Sequence, residues 1–114
     1  MGNPVTLDME QLREVAMDDR ELMRELVGAL VEDTSRQLEL LEIALGEANA
    51  EICKRLAHYS KGACANIGAA RAAELLKIIE QRAAEREFKE CGFALARLTT
   101  EINLLRRKAE VLSA

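Results

Sequence analysis

The chain has 114 residues and a formal net charge of −4; apolar residues make up 49 %, aromatics only 3 %, and Pro4 is the single proline. That length supports one hydrophobic core, and a core of Leu, Ile, Ala and Val with almost no breakers favours helices over sheets. The acidic balance excludes the basic excess of a nucleic-acid binder. No apolar run approaches the roughly 18 residues that span a membrane, and the opening Met-Gly-Asn-Pro has no signal-peptide pattern. A soluble, cytoplasmic protein is expected, with residues 1–114 forming one domain.

In chain order, a short helix is predicted over residues 8–16, capped by Asp8 with Gln11 in capping-box spacing, and with Leu12 and Val15 on its apolar side. Asp18 followed by Glu21 repeats the signal and opens a longer helix to about residue 45. Its apolar stripe reads Leu22, Leu26, Leu30, Leu38, Leu41 and Leu45, widened by Met23, Val27 and Val31. Gly46 stands where a helix-ending glycine belongs, and Asn49 can cap the next helix. The third helix is expected over residues 50–66, stopped or kinked at Gly68. A fourth covers residues 69–86, with Ala72, Leu75, Leu76, Ile79 and Ala83 on one face. The fifth covers residues 88–112, where Phe88, Cys91, Leu95, Leu98, Ile102, Leu105, Ala109 and Leu112 keep an unbroken three-four alternation. Such stripes pack at a shallow angle against antiparallel neighbours. The expected fold is all-α: an antiparallel up-and-down four-helix bundle with a short additional N-terminal helix.

Cys53, Cys64 and Cys91 form no C-x-x-C pair, which excludes a thioredoxin-type motif. With one histidine they could supply four zinc ligands on paper, but the paired spacing of a zinc site is missing. They are expected to be buried, reduced thiols, and no metal site is expected.

The chemistry lies in residues 51–67, EICKRLAHYSKGACANI. Advancing about 100° per residue, Ile52, Cys53, Leu56, Ser60, Ala63, Cys64 and Ile67 fall more than about 110° from the only histidine, His58. Glu51, Lys54, Arg55, Lys61, Gly62 and Ala65 lie within about 60° of it. His58 therefore points outward. A solvated surface histidine is the bland account, and three features weigh against it. Lys54, Arg55 and Lys61 surround the imidazole with cations in an acidic protein, which suits an anion carried on the ring. Gly62 costs about 1 kcal/mol in mid-helix relative to Ala and has no core-packing reason, but it lets another backbone approach closely. Ala65 extends the bare ground by a further turn. Histidine forms covalent intermediates, and its neutral imidazole has a ring nitrogen lone pair free to attack phosphorus. Ser60 and Cys64 lie across the helix and cannot pair with it as nucleophile and base. No Gly-rich phosphate loop or kinase signature is present.

The string His58-Tyr-Ser-Lys61-Gly62-Ala63-Cys64-Ala65-Asn66-Ile67-Gly68-Ala69 resembles the signature of histidine-containing phosphotransfer (HPt) domains, a histidine followed by Lys-Gly, small residues and an aliphatic-Gly-Ala. Helix order and lengths extend the resemblance over nearly the whole chain. It implies a four-helix bundle with the histidine exposed on its second long helix. It also implies reversible phosphoryl transfer between His58 and the aspartate of a response-regulator receiver domain, with a hybrid histidine kinase as a further partner and neither nucleic acid nor membrane involved. By that analogy His58 Nε2 accepts the phosphoryl group and Lys61 steadies its oxygens. Gly62, with Lys54, Arg55 and Ala65, forms the docking face. No cofactor is implied, any magnesium coming with the receiver, and no autonomous kinase activity is implied. Some family members bond the other imidazole nitrogen from the following helix. Glu80 is the best-placed candidate, since it flanks the apolar face while Gln81 points away; an ordinary surface glutamate is the competing account. Tyr59 reads as a packing residue at the helix edge.

Two rivals stand beside this reading. A helical adaptor with an incidental His58 predicts that phosphate on the ring changes no partner binding. An enzyme using His58 as acid or base would need a pocket of convergent polar groups, where the pattern gives an open helix face.

Overall fold

Apolar residues at three-four spacing do set the architecture. The computed structural model describes residues 3–113, the side chain of Ser113 excepted. Its helices are α1 (Met9–Val15), α2 (Arg20–Gly46), α3 (Ala50–Ile67), α4 (Ala70–Ala84) and α5 (Phe88–Ser113). α3 packs between α2 and α4, and α5 packs between α4 and α2, closing a square. The connections, residues 47–49, 68–69 and 85–87, are too short for anything but antiparallel neighbours. α1 lies across one end, against α2 and α3. This is an all-α, up-and-down four-helix bundle with a short N-terminal helix, and no described helix is long and apolar enough to cross a membrane.

One apolar cluster fills the middle. Leu12, Val27, Leu41, Cys53, Cys64, Leu76, Ile79, Cys91, Leu98 and Leu105 are fully enclosed, and the three cysteines are free thiols. Burial pushes the Cys64 thiol up to about 11 and the Cys91 thiol likewise to about 11, so both stay protonated and unreactive. In α2 the flanking Met23, Val27 and Val31 are more deeply buried than Leu22 and Leu26, which sit at the rim. Val15, expected on the apolar side of α1, is exposed, because α1 ends there and only Leu12 and Ala16 reach the core.

The helix ends correct several expectations. Asp8 caps α1 as expected, its side chain accepting the Gln11 N–H at 3.1 Å. The reciprocal half of the capping box is absent: the Asp8 N–H donates to the Gly68 carbonyl at 2.8 Å, and the Gln11 amide reaches the Ala65 carbonyl at 2.6 Å. α2 is capped by Asp19, not Asp18. Capping needs extended backbone, which Asp19 has (φ −83°, ψ 107°), whereas Asp18 is left-handed at φ 61° and pairs with Arg13 at 3.0 Å. Gly46 is the last residue of α2, not its left-handed terminator. That conformation falls two residues later on Ala48 (φ 52°), with the Asn49 N–H returning to the Ala44 carbonyl at 2.9 Å. Asn49 then caps α3 by accepting the Ile52 N–H. α4 stops at Ala84 rather than residue 86, since Arg86 is left-handed at φ 58°.

Gly68 ends α3 at φ 99°, and its N–H and that of Ala69 both return to the Cys64 carbonyl. A Cβ here would meet the Asp8 carbonyl oxygen at 2.9 Å. Gly68→Ala should therefore lower stability by about 1–2 kcal/mol or more, through left-handed strain and this clash. Ala48→Gly, which relieves the same strain where the native residue carries it, should raise stability by up to about 1 kcal/mol. Thermal melts of the two variants should move in opposite directions.

Candidate functional site

The α3 stripe that buries Cys53, Ala57, Ser60 and Cys64 turns His58 to the outside. Its side chain is 69 % exposed, and α4 contributes the ring's one hydrogen-bond partner among the described residues. His58 Nδ1 lies 2.9 Å from Glu80 Oε2, and the other carboxylate oxygen, Oε1, accepts from Lys61 Nζ at 2.7 Å. Both residues that contact Glu80 sit on one face of α3, three positions apart, so a single carboxylate spans them.

The proton on the ring can be placed from this geometry. Glu80 is held below the ordinary carboxylate value of 4.5, first by the Lys61 hydrogen bond and then, against the opposing effect of burial, by the His58 bond and both positive charges. An ionised carboxylate only accepts hydrogen bonds. Nδ1 therefore carries the hydrogen and donates it to Glu80, and Nε2 presents its lone pair to solvent.

The surroundings are open. His58, Glu51, Lys54, Arg55 and Glu80 line a shallow depression of about 330 Å³. Beside it a hollow of about 310 Å³ is floored by Ala65, Ala70 and Ala73, with Lys61 and Lys77 among its lining. Gly62 is exposed, and a Cβ there would meet nothing within 4 Å. A further hollow of about 480 Å³, between α4, α5 and the N-terminal segment, is lined by Pro4, Arg71, Leu75, Ile78 and Arg97.

The cation cluster expected around His58 is more neutralised than its sequence suggests. Lys54 is shared with Glu51 at 3.5 Å and Lys61 with Glu80, while Arg55 makes no ion pair among the described residues. Ala65 is exposed, and its carbonyl is taken up by Gln11 of α1. Tyr59, expected to pack at the helix edge, is 57 % exposed. Two features had no local signal. Lys77 lines the hollow beside Lys61 and Ala65 from α4. Glu101, in the α5 stripe beside Ile102, is buried and pairs at 3.5 Å with Arg71, which also holds the N-terminal segment through the Pro4 carbonyl and the Thr6 hydroxyl.

The Hpt domain family model matches residues 25–108, a stretch that includes His58, Lys61, Gly62 and Glu80. The chain belongs to the Hpt domain family. Among solved structures, the crystal structure of histidine-containing phosphotransfer protein B (HptB) from Pseudomonas aeruginosa PAO1 superposes with a TM-score of 0.86 at 23 % identity, covering 95 % of this chain and 94 % of that one. That likeness extends the Hpt fold to α1, which lies outside the family match. No curated protein sequence matches the chain.

The bridge makes a signed prediction. Glu80 is depressed in the folded chain, so its contribution to stability is present above 4.5 and disappears as pH falls through the lowered value. Carboxyl NMR titration should place the Glu80 midpoint below 4.5, and Lys61→Ala should move it back up, since the Lys61 hydrogen bond is the largest cause.

Proposed function

We propose that this Hpt protein carries a phosphoryl group on His58 Nε2, accepting it from the aspartate of one receiver domain and passing it to another. The observation that supports this reading most strongly is an exposed imidazole whose Nδ1–H is held by Glu80, leaving Nε2 free on an uncrowded helix face. In the accepting step the Nε2 lone pair attacks phosphorus, the bond from phosphorus to the aspartyl oxygen breaks, and the aspartate leaves as a carboxylate. The ring then bears phosphorus on Nε2 and hydrogen on Nδ1. Donation runs the same path backwards.

Lys61 releases Glu80 and steadies the phosphoryl oxygens. Gly62 and Ala65 leave room for the receiver's backbone, and Lys54 and Arg55 meet its acidic surface. Magnesium belongs to the receiver's pocket and not to this chain. Residues 1–114 act as one phosphotransfer unit in the cytoplasm, with a hybrid kinase as an upstream source. The helical-adaptor alternative differs in one respect: it makes partner binding indifferent to the state of His58.

Incubation with a panel of phosphorylated receivers tests this. The wild type should acquire an acid-labile, base-stable label that His58→Gln abolishes, and ATP with magnesium alone should give none. Undiminished labelling of the Gln variant, or robust self-labelling from ATP, contradicts the assignment.

Two neighbouring substitutions should separate positioning from clearance. Lys61→Ala should fold and dock but transfer more slowly, at a cost of about 1–3 kcal/mol for the lost charged contact. Gly62→Glu should melt at the wild-type temperature or higher, since nothing obstructs a side chain and Glu has better helix propensity. It should nevertheless block transfer, because the added carboxylate occupies the approach and repels the receiver. Melting temperatures and transfer kinetics on the two variants check both expectations.

A further inference from the structure

Along a helix, opposite charges four residues apart ordinarily meet. Arg97 and Glu101 of α5 have that spacing and do not. Glu101 turns inward to Arg71 of α4 at 3.5 Å, and its side chain is only 4 % exposed. Its other carboxylate oxygen, Oε2, is buried and has no hydrogen-bond partner among the described residues. Arg97 is exposed and makes neither a hydrogen bond nor an ion pair among them. A buried acceptor left unpaired is costly and uncommon in native folds. Here it stands one turn from an unpaired guanidinium.

Both groups border a hollow of about 280 Å³ between α4 and α5, walled by Leu75, Thr100 and Leu104. It shares Arg71, Leu75 and Arg97 with the hollow of about 480 Å³ beside the N-terminal segment, where Ile78 extends the apolar wall and Glu74 stands at the rim. Glu74 also makes no ion pair among the described residues. Two arginines and two glutamates therefore surround the adjoining hollows, and their charges cancel. That balance disfavours a phosphate, which two carboxylates repel, and a diamine, which two guanidiniums repel. It suits a ligand carrying one charge of each sign.

The donors and acceptors say which groups those are. A guanidinium takes a carboxylate through two parallel N–H bonds, and a carboxylate oxygen accepts from an ammonium. An α-amino acid carries both on one carbon, within the one-turn separation of Arg97 and Glu101. The remaining wall is apolar, so an aliphatic side chain gains most from it. We propose that this groove binds a free aliphatic α-amino acid, its carboxylate on Arg97, its ammonium on Glu101 Oε2 and its side chain against Leu75 and Leu104. The site shares no residue with the depression around His58 and does not depend on the phosphotransfer reading.

Occupancy reaches the N-terminal strap through Arg71. Its backbone N–H donates to the Val5 carbonyl at 2.9 Å and its guanidinium to the Pro4 carbonyl at 3.1 Å, while it also faces Glu101. A ligand that completes the hydrogen bonds of Glu101 holds that carboxylate, and with it Arg71, in place. The Arg71 amide should then exchange more slowly with solvent.

L-leucine is the probe, titrated into the full chain and followed by amide NMR. Saturable shifts should gather on residues 71–78 and 97–104, with a dissociation constant of about 1 mM, a modest value for a ligand of this size. N-acetyl-leucine lacks the ammonium and leucinamide the carboxylate. Each should bind about tenfold more weakly or worse, the loss of one charge-assisted contact. These two test both contacts without disturbing a buried residue. Arg97→Gln alters only an exposed side chain, so it should melt with the wild type and still take phosphate from a receiver. It should bind leucine about as weakly as the wild type binds leucinamide.

Shifts that climb without saturating, N-acetyl-leucine matching leucine, or unchanged affinity in Arg97→Gln each overturn the proposal. So do shifts centred on His58. Failure of the wild type to take phosphate from any receiver would bear on His58 alone and leave the titration standing.

Discussion

The left-handed turn at Gly68 fixes how far along α4 each residue of α3 finds its neighbour. His58 stands ten positions before Gly68 and Glu80 twelve after it, so a two-residue connection brings them to the same level of the antiparallel pair. The turn is closed from three sides. α3 returns two hydrogen bonds from it to the Cys64 carbonyl, the Gly68 carbonyl accepts from Asp8, and the Asp8 carbonyl oxygen occupies the space a side chain would need. A shift of one residue in this register would rotate Glu80 by about 100° away from the imidazole.

The chemistry of the site depends on that alignment, because the one hydrogen-bond partner of the imidazole among the described residues comes from α4 and not from α3. The carboxylate from α4 converts a tautomerically free imidazole into one with a defined nucleophilic nitrogen. It also occupies Lys61, so the lysine is not a free cation but one held by Glu80 at 2.7 Å. Surface ion pairs of this kind add little to stability; their weight here lies in protonation and orientation. The resting site is therefore pre-organised without being enclosed.

Which parts of this were legible before the fold was known follows from the range of each interaction. The helices were, since their three-four stripes are local, and so were the caps Asp8 and Asn49. The direction of His58 was too, because it needs only the angle between neighbours on one helix. Choosing Asp19 over Asp18 was not, since both are good caps and the choice turns on which of them goes left-handed. The place of Gly46 misled for a related reason: the bundle puts the left-handed residue at Ala48 and tolerates the strain there. Glu80 could be ranked as the best candidate from its angle on α4, but contact required the α3–α4 register. Glu101 gave no sign of burial, as a carboxylate beside an apolar stripe ordinarily faces water; only Arg71, thirty positions earlier, makes its place intelligible.

Arg71 has a practical corollary for anyone joining this domain to something else. Its backbone N–H takes the Val5 carbonyl and its guanidinium the Pro4 carbonyl, which lays the first described residues over α4 and α5. Asn3 and Pro4 overhang Leu75, Ile78 and Arg97 there, whereas the shelf around His58 is built from α3 and the α3-facing side of α4. A fluorophore, purification handle or upstream domain tethered before Asn3 thus departs over the α4–α5 groove instead of the shelf around His58. Deleting the strap itself is another matter, since residues 4–8 clasp the turn that sets the register of the site. The N-terminus is a safe point of attachment and a poor point of truncation.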